Sequence, residues 1–124
     1  MERPKRFEDL EGWKKARELV NRVYDMTQQG ALAKDFGLRD QMQRAAVSIM
    51  SNLAEGFDRT HQAEKLQFYR VARASAGEVR SLLYILSDRQ YAAAESIQGA
   101  QALADELGRI IQGLIRSFQR NSKS

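Results

Sequence analysis

The chain has 124 residues, 43% hydrophobic and 29% charged, proportions that fit one domain with a modest core. It contains no Cys, which excludes disulfides, thiolate metal sites and cysteine nucleophiles. Its 20 basic and 16 acidic residues give a net charge of +4 and a pI near 9.6, a mild excess that does not by itself specify a polyanionic partner.

The first six residues are basic, but an acidic Phe7-Glu-Asp-Leu-Glu11 follows where a signal peptide would have its apolar core. No apolar run approaches the roughly 20 residues needed to span a bilayer. The expected location is the cytoplasm, with no membrane partner. The single proline is Pro4, so everything from Phe7 to Phe118 is free of the strongest helix breaker. That points to an all-α chain.

The spacing predicts a first helix over about 10–28, with Asp9 as its N-cap and Gly30 as its stop. Trp13, Ala16, Val20, Val23 and Thr27 recur at helical spacing, flanked by Leu19, Tyr24 and Met26. Trp13 reads as a core anchor in preference to a ligand-stacking platform.

A second helix is predicted over about 38–57. Leu38, Met42, Ala45, Ile49, Asn52 and Gly56 share one stripe, and its small residues suit close approach to neighbouring helices. Thr60 is the candidate N-cap of a third helix over about 61–87, whose apolar face runs Phe68, Val71, Ala72, Ser75, Ala76, Val79, Leu82, Leu83 and Leu86. The fourth helix, about 92–120, repeats Ile97, Ala104, Ile111 and Phe118 every seven residues, with Ala100, Leu107 and Leu114 between. Four amphipathic helices with short connections predict a single-domain, antiparallel up-down-up-down four-helix bundle.

Two polar features stand apart from this pattern. Asn52 and Glu55 on the second helix, with Ser75 and Glu78 on the third, lie close to positions expected to face the core. A buried Glu78 needs a partner, which Arg44, Asn52 or an arginine of a neighbouring subunit would supply. Arg44, Asn52, Glu55, Ser75 and Glu78 are therefore read as a register-fixing polar network. A ligand site and plain solvent exposure are the alternatives.

The second feature is basic. From Leu107 to Ser124 there are four basic residues and no acid. Arg109, Arg116 and Lys123 are seven apart and share an outward face, with Arg120 one turn from Arg116. These side chains could follow a phosphate backbone, or could simply solubilise the surface and complement the helix dipole. Arg70, Arg73 and Arg80 form a second candidate patch, or the charged rim of a subunit interface.

No Glu-x-x-His pair, Ser-His-Asp motif or Gly-rich phosphate loop occurs, and the only histidine, His61, sits at a helix start. No catalytic, cofactor-binding or metal-binding residue is assigned, and no enzyme activity is expected.

The segment Gln43-Arg-Ala-Ala-Val-Ser-Ile-Met-Ser-Asn-Leu-Ala-Glu-Gly56 resembles the Arg-Arg-Ala-Ala-x-Ser-Ile-Pro-Ser-Asn-Ile-Ala-Glu-Gly pattern of the small bundle family encoded in bacterial 23S ribosomal RNA intervening sequences. The likeness extends to Phe7-Glu-Asp-Leu10 with Trp13, Lys15 and Ala16, to Phe68–Glu78 and to Leu107–Ser117. Gln43 stands in place of an arginine and Met50 in place of a proline, which implies a weakened charged contact and a lost kink. The resemblance implies an antiparallel four-helix bundle assembled as a closed ring of five subunits. It also implies kinship with the accessory variability proteins of diversity-generating retroelements, basic pentamers that associate with a reverse transcriptase and with nucleic acid.

The expectation is a non-enzymatic homo-oligomer, a pentamer, whose basic surface binds RNA or DNA. A reverse transcriptase is a candidate protein partner. The competing expectation is a protein-interaction scaffold that binds no nucleic acid.

Overall fold

The computed structural model describes residues 3–122. A 3-10 turn at Phe7–Asp9 leads into α1 (Glu11–Thr27), and a second 3-10 segment, Gly30–Lys34, leads into α2 (Phe36–Asp58). Helices α3 (Gln62–Arg89) and α4 (Ala94–Ser122) follow. The described residues contain no strand, so the chain is all-α as the periodicity predicts. Each helix packs on its chain neighbour, and α1 also packs on α4, closing the four into a bundle.

All eight helix bounds fall within two residues of expectation, but the predicted caps of α1 and α3 are each displaced by one residue. Leu10 is the N-cap of α1 and has no side-chain cap bond. Asp9 instead ends the 3-10 turn, accepting from the Lys5 and Arg6 amides. α2 begins two residues earlier than the spacing suggests, because the Asp35 carboxylate accepts from the Leu38 amide. The Tyr91 hydroxyl donates to the other Asp35 oxygen at 3.1 Å, tying the α3–α4 turn to the start of α2. His61, not Thr60, is the N-cap residue of α3. α1 stops at Thr27, while Gly30, at φ +57°, serves the 3-10 segment that follows. At the end of α3, Gln90 takes the left-handed conformation (φ 55°), and the Tyr91 amide reaches back to the Leu86 carbonyl.

The core is one cluster fed by all four helices. Leu19, Val23, Met42, Ile49, Leu53, Tyr69, Leu83, Leu86, Leu107, Ile111 and Ile115 are fully buried, and Leu32 enters from the 3-10 segment. Burying each such side chain stabilises by roughly 1.5–3 kcal/mol relative to exposure.

The predicted face of α3 is rotated at its N-terminal end. Leu66 and Tyr69 are buried there, Phe68 is half-buried and Val71 is exposed. Trp13 is half-buried against the core, with its ring edge-on to Phe7 at 5.3 Å. Gly56 lets the backbone of α2 approach α3: a Cβ there would lie 2.7 Å from the Tyr69 ring.

Polar contacts fix the pairing of the helices. Ser48 of α2 bonds Ser75 of α3, Gln41 bonds Glu78, and the Lys65 ammonium donates to the Gly56 and Phe57 carbonyls. Gln62, at the start of α3, donates to the Phe118 carbonyl near the end of α4. Lys15 of α1 pairs with Glu106 of α4 at 3.2 Å. Gln43, at the position where the family pattern has an arginine, reaches from α2 to the buried Thr27 hydroxyl of α1 at 3.1 Å.

Candidate nucleic-acid interface

Helical spacing puts Arg73, Gly77 and Arg80 on one face of α3, and Asp105, Arg109 and Gln112 on one face of α4. The packing of α3 on α4 turns these faces toward each other across an open groove. Its floor is Ala76, Gly77, Ala104 and Gly108, so nothing longer than a methyl group stands between the charged walls.

The walls are connected. Arg73 donates to the Gln112 side-chain oxygen. The Arg80 guanidinium lies 3.6 Å from one Asp105 oxygen, and Arg109 donates to the other. One carboxylate is thus held between two guanidiniums from different helices. All three groups remain substantially exposed, so these ion pairs are worth no more than about 1 kcal/mol each. The groove holds three arginines and one carboxylate, a local charge of +2.

The row continues beyond the groove. Arg70 lies one turn before Arg73, and Arg116 lies one turn after Gln112, with Arg120 a further turn on. Arg70, Arg116 and Arg120 are exposed and make no ion pair among the described residues. Lys123 lies outside the described residues.

The two patches read separately from the sequence, one on each helix, therefore meet along a single α3/α4 seam at Arg73, Arg80 and Arg109. Asp105 is absent from the sequence-derived set. Its i, i+4 spacing to Arg109 was the available signal, but the contact with Arg80 depends on how the helices pack.

The predicted polar network is corrected by the structure. Glu78 is exposed, not buried, and bonds Gln41 at 3.1 Å. Glu55 points outward to Arg59 at 2.9 Å. Arg44 lines a shallow recess with Tyr24, Gln43, Val47, Ser48 and Ser51, and makes no ion pair among the described residues. What remains is a small hydroxyl–amide cluster in which the Ser75 and Ser48 hydroxyls bond at 2.9 Å and the Asn52 amide donates to Ser48. The physical reason is rotation: Val71 and Glu78 are seven apart, and both fall on the outer face of α3.

Two titratable groups at the other end of the α2/α3 pair have structural work. Lys65 donates to two terminal carbonyls of α2, and its ammonium stands 5.5 Å from the Phe57 ring and 5.9 Å from the Phe118 ring. Burial lowers its pKa, with the Asp58 carboxylate opposing. Tyr69 is pushed up to about 12, chiefly by burial and secondarily by Asp58. Among the described residues, no group of three or more His, Cys, Asp and Glu side chains could hold a metal ion, and no helix is long and apolar enough to cross a membrane.

A family model described as 23S rRNA-intervening sequence protein matches residues 8–113. Among solved structures, the chain is similar to a protein with unknown function from the S23 ribosomal protein family of Bacteroides thetaiotaomicron, at 20% identity and a TM-score of 0.78. The match covers 85% of this chain and 95% of that one, and it shows the fold. No curated relative matches.

Proposed function

This chain belongs to the 23S rRNA-intervening sequence protein family, and from that premise we propose a non-enzymatic, homo-oligomeric accessory protein whose α3/α4 seam binds RNA or DNA. The observation that carries this reading is the convergence of Arg73, Arg80 and Arg109 in one groove, continued by Arg70, Arg116 and Arg120. From Arg70 to Arg80 the row on α3 alone runs about 15 Å, at 1.5 Å per residue. Guanidiniums along such a line suit a phosphate backbone, and they would bind it by releasing counterions.

The bundle is up-down-up-down. The pairs Ser48–Ser75 and Gln41–Glu78 support this, because the contacts move backward on α2 as they move forward on α3. The connections at 59–61 and 90–93 are short enough to turn each helix directly onto its neighbour.

Assembly is assigned to the outer α2/α3 surface, where Val47, Val71 and Ile85 are 41%, 43% and 39% exposed. The family resemblance supplies the ring of five and makes a reverse transcriptase the candidate protein partner. The cytoplasm is the proposed location. That same exposed apolar surface favours the second reading, a scaffold that gathers proteins and leaves nucleic acid alone.

A salt titration of a labelled oligonucleotide separates the two readings. Nucleic-acid binding predicts an affinity that falls steeply with salt, with a log–log slope that shrinks, for each phosphate contact removed, by about 0.9 on duplex DNA or about 0.7 on a single strand. The charge reversals Arg116→Glu and Arg120→Glu should abolish binding and leave the oligomer intact in sedimentation. Absence of binding at low salt, or dissociation of the oligomer by these substitutions, would establish the scaffold reading instead.

A further inference from the structure

The geometry points to the α3/α4 groove as a phosphate seat in which Asp105 is the resident competitor: its carboxylate occupies the position between Arg80 and Arg109 that an incoming phosphate oxygen takes. This deepens the reading above, and rests on it for nucleic acid as the source of the phosphate.

Three observations support the assignment. Each Asp105 oxygen faces one guanidinium, Arg80 from α3 and Arg109 from α4, which is also how two arginines hold a phosphate. Among the described residues a third arginine, Arg73, is engaged by the neutral Gln112 side chain and by no carboxylate, so it can be recruited without breaking an ion pair there. Lastly, the groove floor carries two mid-helix glycines that the bundle itself does not require. A Cβ at Gly77 or at Gly108 would meet nothing within 4 Å. Glycine is unfavourable inside a helix, so two of them beneath a cluster of arginines leave room for something outside the chain to approach the backbone.

Asp105 then sets affinity. While it holds Arg80 and Arg109, the groove presents a charge of +2 instead of +3. A bound phosphate must share or displace that carboxylate, and the exposed pairing makes displacement feasible. The seat engages backbone phosphate through charge, and among the described residues no aromatic side chain lines the groove for base stacking.

The experiment compares the wild-type chain with Asp105→Asn, which keeps the shape and removes the charge. The probes are a fluorescein-labelled 20-mer of deoxythymidine followed by anisotropy, and inorganic pyrophosphate followed by calorimetry. Asp105→Asn should bind both probes several-fold more tightly at low salt. Each additional phosphate contact on a single strand corresponds to about a 2.6-fold larger loss of affinity between 50 and 200 mM salt, so the variant's oligonucleotide binding should become more salt-sensitive by about that factor.

Gly77→Ala and Gly108→Ala should raise thermal stability and yet weaken binding of both probes. Gly113→Ala, outside the groove, should raise stability without weakening binding. If wild type and Asp105→Asn bind the oligonucleotide with equal affinity and equal salt dependence, the seat is overturned while nucleic-acid binding stands. Tighter pyrophosphate binding by Asp105→Asn, with no oligonucleotide bound by either protein, supports the seat and refutes nucleic acid as its ligand. No binding of either probe by either protein overturns both.

Discussion

Replacing Gly56 with alanine puts a methyl group into the place where α2 and α3 come closest. The new Cβ would lie 2.7 and 2.9 Å from two carbons of the Tyr69 ring and 3.0 Å from the Phe68 Cβ. Comfortable carbon contacts are about 3.5–4.0 Å, so the ring or the helix must shift by roughly 1 Å. Tyr69 is only 1% exposed and its ring is backed by Phe118, with centroids 5.8 Å apart, so a displaced ring must also move its neighbours.

Overpacking of this kind costs about 1–3 kcal/mol, against which alanine regains about 1 kcal/mol of helix propensity over glycine. The expected net effect is a loss of up to about 2 kcal/mol. The matched control is Gly113→Ala, whose Cβ meets nothing within 4 Å and which should therefore gain up to about 1 kcal/mol. Urea unfolding followed by circular dichroism reads both, at one protein concentration because association would shift the midpoints. A Gly56→Ala midpoint raised above wild type, as that of Gly113→Ala is expected to be, would refute the close-approach argument.

Other expectations follow from the caps, the buried phenol and the exposed stripe. Tyr69 has a folded-state pKa raised from 10.0 to about 12, so its contribution is fully present below pH 10 and is lost as pH rises from 10 to 12. Tyr69→Phe should remove roughly 2–3 kcal/mol of that alkaline loss, measured as a flatter stability profile over the same window. Gln90→Gly should stabilise by about 1 kcal/mol in thermal melts, because a side chain at φ 55° is strained where glycine is not. Asp35→Ala loses both the α2 cap and the Tyr91 bond, and should lower stability by about 1–2 kcal/mol, with Tyr91→Phe recovering only part of that effect. Val71→Glu should dissociate the oligomer in sedimentation velocity without unfolding the chain, since Val71 is exposed in the single subunit.

The heptads of α4 and the small-residue stripe of α2 were legible because helical periodicity is a local property. Apolar residues at a period near 3.6 announce both the helix and the face it buries. Ile97, Ala104 and Ile111 are accordingly buried, as are Met42, Ala45 and Ile49. Caps were less legible. Asp9, Asp35 and Thr60 are all good cap residues by type, and only Asp35 accepts from the helix it precedes.

Glu78 shows why helical spacing alone does not place a side chain in the core. Position 78 is separated from the buried Ser75 and Val79 by less than one turn, and a modest rotation of α3 decides whether it faces the core or water.

The sequence by itself determined an all-α chain, four helices to within about two residues at most ends, the composition of the core and an arginine-rich face on each of the last two helices. Only the tertiary structure decided that those faces meet. Which charges confront one another across α3 and α4 depends on the axial register and rotation of two rigid rods. Those are set by Gln62 against the Phe118 carbonyl, by the Tyr69 ring against Phe118 and by the interlocked core, contacts between residues far apart in the chain. Asp105 carries no periodic signal of its own. It became the centre of the seam because packing brought Arg80 to it.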